Sequence, residues 1–159
     1  MVVYIDGDGS SVISLVERFS KNHSLECHIF CDINHTVHPK YAKLHIVEQG
    51  SNSADFAIVN CMKAGDIVVT NDSGLASLVL ARKGIPVHSN GTVFTEKNIL
   101  YFLNSRHLRS SIKKKTKRNQ VKGLLTDENK EYKKPHLYET LCYIVKQNEE
   151  ALQSERKKE

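Results

Sequence analysis

Over its first 105 residues the chain alternates short apolar runs with stretches whose apolar residues recur at helical spacing. That alternation narrows the choice of folds more than any other feature, because strands alternating with helices form βαβ units around a parallel sheet. Val2–Ile5 is an apolar run ending in Asp6-Gly7-Asp8-Gly9, and Val12, Leu15, Val16 and Phe19 follow as one face of a helix. Leu25–Cys31 and Leu44–Val47 are the next strand candidates, and Ala54, Ile58, Val59 and Met62 mark a second helix. Ile67–Val69 is wholly apolar, opened by Gly65-Asp66 and closed by Thr70-Asn71-Asp72. Leu75–Ala81 is helical and stops at Lys83-Gly84, a glycine stop. Ile85–Val87 is a short strand, Lys97–His107 a further helix, and Leu137, Leu141, Ile144 and Val145 give a last amphipathic helix over 135–147. The expected fold is α/β, with a mostly parallel sheet of about five strands whose most apolar members are buried on both faces. Residues 1–147 form one domain, and 148–159 are expected to be a charged, disordered tail.

Charge divides the same chain differently. The net charge of +5 comes from 23 Lys and Arg against 18 Asp and Glu. Residues 1–105 carry 8 basic and 10 acidic side chains, whereas 106–122 carry 8 basic and none acidic. The excess thus lies in one segment, which is either a solvated loop or an element that contacts phosphates. In it Arg106, Arg109, Lys113, Lys114, Lys115, Lys117 and Arg118 are the candidate contacts to a nucleic-acid backbone. The segment has no Phe, Tyr or Trp, so it offers phosphate contact without a stacking platform. No apolar run approaches the roughly 20 residues of a membrane span, and the N-terminus lacks the layout of a signal peptide. These features exclude membrane, secreted and disordered classes and predict a cytoplasmic protein.

In an open parallel sheet, ligands bind beyond the carboxyl ends of the strands. Asp6 and Asp8 fall there after the first strand, Asn71 and Asp72 after Ile67–Val69, and Asp55 in the first turn of the second helix. Asp32, after the second strand, is a weaker candidate, and Asp66 lies at the opposite end of its strand. Carboxylates converging on one edge repel unless a hard cation neutralises them, and oxygen donors suit Mg²⁺ or Mn²⁺. Such an ion polarises a phosphodiester and lowers the pKa of a bound water. Each acid also has a plain structural role open to it. Asp6-Gly7-Asp8-Gly9 could be a tight turn, Asp55 could complete a capping box with Ser51 or Asn52, and Asp72 could cap the helix that follows it.

The segments Tyr4-Ile5-Asp6-Gly7-Asp8, Ser53-Ala54-Asp55-Phe56-Ala57-Ile58-Val59 and Gly65-Asp66-Ile67-Val68-Val69-Thr70-Asn71-Asp72-Ser73-Gly74-Leu75-Ala76 resemble the YaiI/YqxD family of bacterial proteins. Asn90-Gly91, Phe94-Thr95-Glu96-Lys97-Asn98-Ile99 and Arg106 continue the likeness, which covers roughly residues 1–147. That family is grouped with PIN-like nuclease folds, whose acids bind divalent metal and cleave RNA. The resemblance implies a PIN-like three-layer fold with Asp6, Asp8, Asp55 and Asp72 as the catalytic positions. Where the family has Asp-Ala-Asp-Ala-Cys-Pro, this chain has Asp6-Gly7-Asp8-Gly9-Ser10-Ser11, and Ser53 replaces the first acid of the family's Asp-Ala-Ala-Asp.

The combined expectation is a metal-dependent phosphodiesterase acting on RNA or other single-stranded nucleic acid. Asp6, Asp8 and Asp72 would hold Mg²⁺ or Mn²⁺, Asp55 would complete the shell or orient the water, and Ser10, Ser11 and Asn71 would position phosphate. One alternative is a nucleic-acid-binding or ribosome-associated module without catalysis. Another is a haloacid-dehalogenase-type phosphatase with Asp6 as nucleophile. Cys27, Cys31, His35 and His38 do not make a zinc site, because positions 27 and 31 lie about 13 Å apart along a strand. All four cysteines (Cys27, Cys31, Cys61 and Cys142) are expected to be buried small apolar residues.

Overall fold

The computed structural model describes residues 1–7, 12–34, 37–48, 53–105 and 136–156, with Glu155 by its backbone alone. Five strands form one sheet: β1 (Val3–Asp6), β2 (Cys27–Asp32), β3 (Lys43–Val47), β4 (Ile67–Val69) and β5 (Ile85–Val87). Their order is β3-β2-β1-β4-β5 and every neighbouring pair is parallel. The helices are α1 (Ile13–Asn22), α2 (Ser53–Cys61), α3 (Ser73–Ala81), α4 (residues 99–105) and α5 (Leu137–Arg156).

Strand alternation sorts the apolar side chains into two layers. Val3, Ile5, Ile29, Ile67, Val69 and Val87 face one way and pack with Val16 and Phe19 of α1 and with Leu137, Leu141, Ile144 and Val145 of α5. Tyr4, Phe30 and Val68 face the other way, against Ala54, Ile58 and Val59 of α2, Met62 just after it, and Leu75 and Val79 of α3. The result is the expected three-layer α/β architecture, with α1 and α5 on one face and α2 and α3 on the other. Each fully buried Ile, Val or Phe stabilises it by about 1.5–3 kcal/mol.

Two buried acids hold chain segments rather than a ligand. Glu17 of α1 accepts hydrogen bonds at one carboxylate oxygen from the backbone N–H groups of Lys40 (2.7 Å), Tyr41 (2.7 Å) and Ala42 (2.9 Å). It thereby steers the chain into β3 where the described residues of the β2–β3 connection contain no helix. Asp66 accepts from Val2 N with one oxygen and from Lys63 N with the other, both at 2.8 Å. It ties the start of β1 to the turn before β4, consistent with its place at the amino end of the sheet.

Several boundaries differ from expectation. The C-terminal helix runs to Arg156 and takes in 148–156 of the expected tail. Those residues are rich in Glu, Ala, Leu and Gln, which are strong helix formers, and Lys146 pairs with Glu150 one turn on at 4.0 Å. The stop after α3 is not made by a glycine in the left-handed region. Lys83 takes that conformation (φ 60°), while Gly84 N donates to Val79 O and Lys83 N to Leu80 O in a Schellman arrangement. Gly84 is required for space instead, since a Cβ there would meet Met62 Cε and stand 2.8 Å from Val79 Cγ1.

Cysteine burial is also uneven. Cys27 and Cys31 are buried as expected, but Cys61 is exposed and Cys142 half-buried, because Cys61 ends α2 on its solvent side. Burial pushes the Cys27 thiol up to about 11, which keeps it protonated and unreactive.

Candidate active site at the carboxyl edge of the sheet

β1 lies between β2 and β4, so the direction in which successive strands are added reverses beside it. Such a topological switch point opens a crevice at the carboxyl ends of the strands. The last register pair between β1 and β4 is Ile5 with Val69. One step further come Asp6 and Thr70, on the face of Tyr4 and Val68. Thr70 Oγ1 donates to Asp6 Oδ2 at 2.7 Å. The same hydroxyl oxygen accepts from Asp72 N at 2.9 Å. Thr70 is buried and its own N–H extends the ladder to Val87 O at 3.0 Å. One hydroxyl therefore links the acid that ends β1 to the acid that opens α3.

Asp72 is the N-cap of α3, its Oδ1 accepting from Gly74 N at 2.5 Å and Leu75 N at 3.4 Å. The capping role anticipated for it is realised, and it fixes the carboxylate at the edge. Next to Asp72, the Asn71 side-chain oxygen accepts from Ser89 N at 3.3 Å, joining the ends of β4 and β5. Ile5, Asp6, Val12, Val69, Thr70, Asn71 and Ser89 line a shallow cleft here. Val12 is the N-cap residue of α1, makes no side-chain capping bond, and no acid follows in the first turn.

The backbone leaving Asp6 runs tight against β2. Gly7 N donates to Phe30 O at 2.7 Å. A Cβ on Gly7 would lie 2.7 Å from Cys31 Cβ and 2.8 Å from the Phe30 carbonyl oxygen, closer than atoms pack. Glycine is therefore the residue that allows β1 to end where it does.

The other expected site residues divide into two groups. Asp55 lies in the first turn of α2, which follows the edge strand β3 and packs back over β1 and β2. Among the described residues no three His, Cys, Asp or Glu side chains are grouped to hold a metal, so Asp55 does not join Asp6 and Asp72 in such a group. Asp32, at the end of β2, accepts from Asn34 N in a local turn. Asp8, Ser10, Ser11, Arg106, Arg109, Lys113, Lys114, Lys115, Lys117 and Arg118 lie outside the described residues, as does His35; His38 is exposed. Thr70, Gly7 and Ser89 were not singled out by sequence. Counting strand residues outward from Val69 signals Thr70, since alternation puts it on the face of Asp6.

His88 follows β5 in the register row of Thr70. Burial holds its imidazole below the usual histidine value, and its Nδ1 accepts from Asn90 N at 3.1 Å.

The model described as "Uncharacterized BCR, YaiI/YqxD family" matches residues 4–142. The chain belongs to the YaiI/YqxD family. Among its relatives are UPF0178 proteins from Exiguobacterium sibiricum, 44% identical over 72% of this chain and 78% of that one, and from Clostridium acetobutylicum, 32% identical over 77% and 83%. A UPF0178 protein from Clostridium tetani is 31% identical over 91% of this chain and 97% of its own length. Among solved structures, the chain is similar to a mutant of Rae1 (YacP) from Bacillus subtilis. The identity is 10%, with 77% of this chain and 87% of that one covered and a TM-score of 0.44. As a YaiI/YqxD member the chain carries its family match across β1 to β5 and into α5. No helix among the described residues is long and apolar enough to cross a membrane.

Proposed function

We propose that this YaiI/YqxD protein is a metal-dependent nuclease that hydrolyses phosphodiester bonds of RNA or other single-stranded nucleic acid at the carboxyl edge of β1 and β4. The observation that carries the reading is the Thr70 hydroxyl, which orients the Asp6 carboxylate and at the same time fixes the backbone of Asp72. A donor behind a carboxylate is how metal-binding acids are aimed. The donor set is hard oxygen, matched to Mg²⁺ or Mn²⁺ rather than zinc.

Asp6, Asp8 and Asp72 would hold the ion. When bound, it would polarise a phosphodiester oxygen and lower the pKa of a bound water so that hydroxide forms to attack. Asn71 and the start of α1 at Val12 flank the place where a phosphate would sit, and Ser10 and Ser11 precede that start in sequence. Asp55 would act from the side of α2, on the water rather than on the ion. Arg106, Arg109, Lys113, Lys114, Lys115, Lys117 and Arg118 would follow the nucleic-acid backbone.

A second reading, a nucleic-acid-binding module without catalysis, is favoured by one specific observation: an oxygen of Asp72 is already engaged in capping α3. Manganese separates the two. A Mn²⁺-soaked crystal should show anomalous density beside Asp6 and Asp72, and calorimetry should lose that binding in Asp6→Asn. Absence of density at millimolar Mn²⁺ would leave the binding module as the better account.

A further inference from the structure

We propose that the outward face of α4, centred on Tyr101, stacks an unpaired base of a single-stranded nucleic acid. This rests on the reading of the protein as one that binds a nucleic-acid backbone, and it adds the contact that tells a single strand from other polyanions. Tyr101 is 73% exposed and Leu100 66%. Lys97 and Asn104 are exposed as well. At 3.6 residues per turn Leu100, Tyr101 and Asn104 fall within about 100° of one another on α4, and Lys97 lies in the turn that leads into it. Glu96 borders them.

Tyr101 is held from behind. Its ring stands edge-on to Phe102 (centroids 5.7 Å apart, planes at 81°), and Phe102 stands edge-on to Phe94 (4.9 Å, 72°). Phe94 is 1% exposed, and its ring centroid lies 5.9 Å from that of His88. This row of rings joins the exposed tyrosine to the residue after β5, next to Ser89 of the cleft. The Phe102 contact supports one edge of the ring and leaves most of its surface open to a base.

Charge and area favour a nucleic acid as the occupant. The sequence that follows α4 carries eight Lys and Arg from Arg106 to Lys122, with no acid and no aromatic residue. It can contact phosphates but not stack bases, and Tyr101 supplies what its composition lacks. A protein partner needs roughly 800 Å² on each side, whereas this face offers two apolar side chains between a lysine and an asparagine.

The chain contains no tryptophan, so Tyr101→Trp in the full-length protein introduces a single fluorophore at the proposed contact. Titrated in EDTA, which removes divalent metal, a single-stranded oligouridylate should quench it saturably, while inorganic polyphosphate binds without quenching. Tyr101→Ala should weaken binding of the oligonucleotide about 5- to 100-fold, and Tyr101→Phe should stay within about twofold of the parent by keeping the ring. Polyphosphate affinity should be the same in all three. Three outcomes would overturn the proposal: oligonucleotide binding without quenching, unchanged affinity in Tyr101→Ala, or a change of oligomeric state in that variant by sedimentation. Failure of the parent protein to bind either polyanion would remove the backbone-binding reading with it. Loss of the nuclease reading alone, by cleavage that Asp6→Asn does not affect, would leave Tyr101 standing.

Discussion

Thr70 and Asp6 face one another across the two strands at the switch point of the sheet, with the threonine hydroxyl 2.7 Å from the carboxylate. Because that hydroxyl also receives the Asp72 amide, its removal takes the acceptor from a part-buried N–H and the Thr70 donor from the Asp6 carboxylate. Thr70→Val should therefore lower stability by about 1–3 kcal/mol and weaken Mn²⁺ binding by calorimetry, whereas Thr70→Ser should keep both close to the parent. Equal stability of the valine and serine variants in urea would show that the hydroxyl contributes nothing.

Gly7 bears on the same carboxylate from the other side. A methyl group at this position meets the Phe30 carbonyl and Cys31 Cβ, neither of which can swing away. Gly7→Ala should cost about 1–3 kcal/mol through overpacking and displace Asp6. A thermal midpoint equal to that of the parent would mean that β2 yields more easily than its packing suggests.

Glu17 makes a comparable case away from the site. Three backbone donors converge on one of its oxygens in a buried setting. Glu17→Ala should destabilise the chain by about 1–3 kcal/mol, since it leaves the buried Ala42 N–H and two part-buried donors without this acceptor, while manganese binding by the folded protein is unchanged. A loss below about 1 kcal/mol in urea titration would mean that residues 40–42 find other acceptors.

Much of this arrangement is legible in the sequence, and the exceptions have physical causes. β4 and β5 are found at their expected bounds because Ile67–Val69 and Ile85–Val87 are fully or nearly buried runs closed by strong breakers. α5 outruns its apolar stripe because helix propensity carries Glu149 to Arg156 without a core to bury against. Asp6 and Asp72 are legible as edge residues because strand ends are marked by Gly, Asn and Asp. Thr70 is legible as the next strand position, but its partner Asp6 lies 64 residues away and no local pattern pairs the two. Asp55 shows the limit of an edge argument. Sequence places it at the correct end of a helix, and that helix does pack over β1 and β2, yet among the described residues Asp55 is not grouped with Asp6 and Asp72, and side-chain grouping across elements is not written in local pattern. Glu17 is invisible for the same reason, as its three partners lie 23 to 25 residues away.

Two histidines set a pH dependence. Burial holds His45 and His88 below the ordinary value of 6.5, and for His45 the neighbouring His28 and Lys43 act in the same direction. His28 Nδ1 and His45 Nε2 are 2.7 Å apart and share one proton, while His28 Nε2 lies 3.1 Å from Glu26, which also pairs with Lys43. Since each folded pKa is depressed, the unfolded chain binds more protons just below 6.5, and stability falls as pH drops through that range. The urea midpoint should decrease between about pH 7.5 and about pH 5, and His45→Gln with His88→Gln should flatten the decrease. An equally steep decrease in the double variant would assign it to other groups.

Charge reversal of Lys113, Lys114 and Lys115 should weaken binding of single-stranded RNA and reduce the slope of log affinity against log salt by about 2, at about 0.7 per phosphate contact. An unchanged slope would remove these residues from the nucleic-acid contact.

The most direct measurement is cleavage of an end-labelled single-stranded RNA by the parent protein and by Asp6→Asn, each in Mn²⁺ and in EDTA. The account predicts cleavage by the parent in Mn²⁺ alone and a loss of about 100-fold or more in Asp6→Asn, the scale on which a Lewis-acid ion contributes. Cleavage that persists in EDTA, or at an equal rate in Asp6→Asn, would contradict it, as would no cleavage by the parent in Mn²⁺.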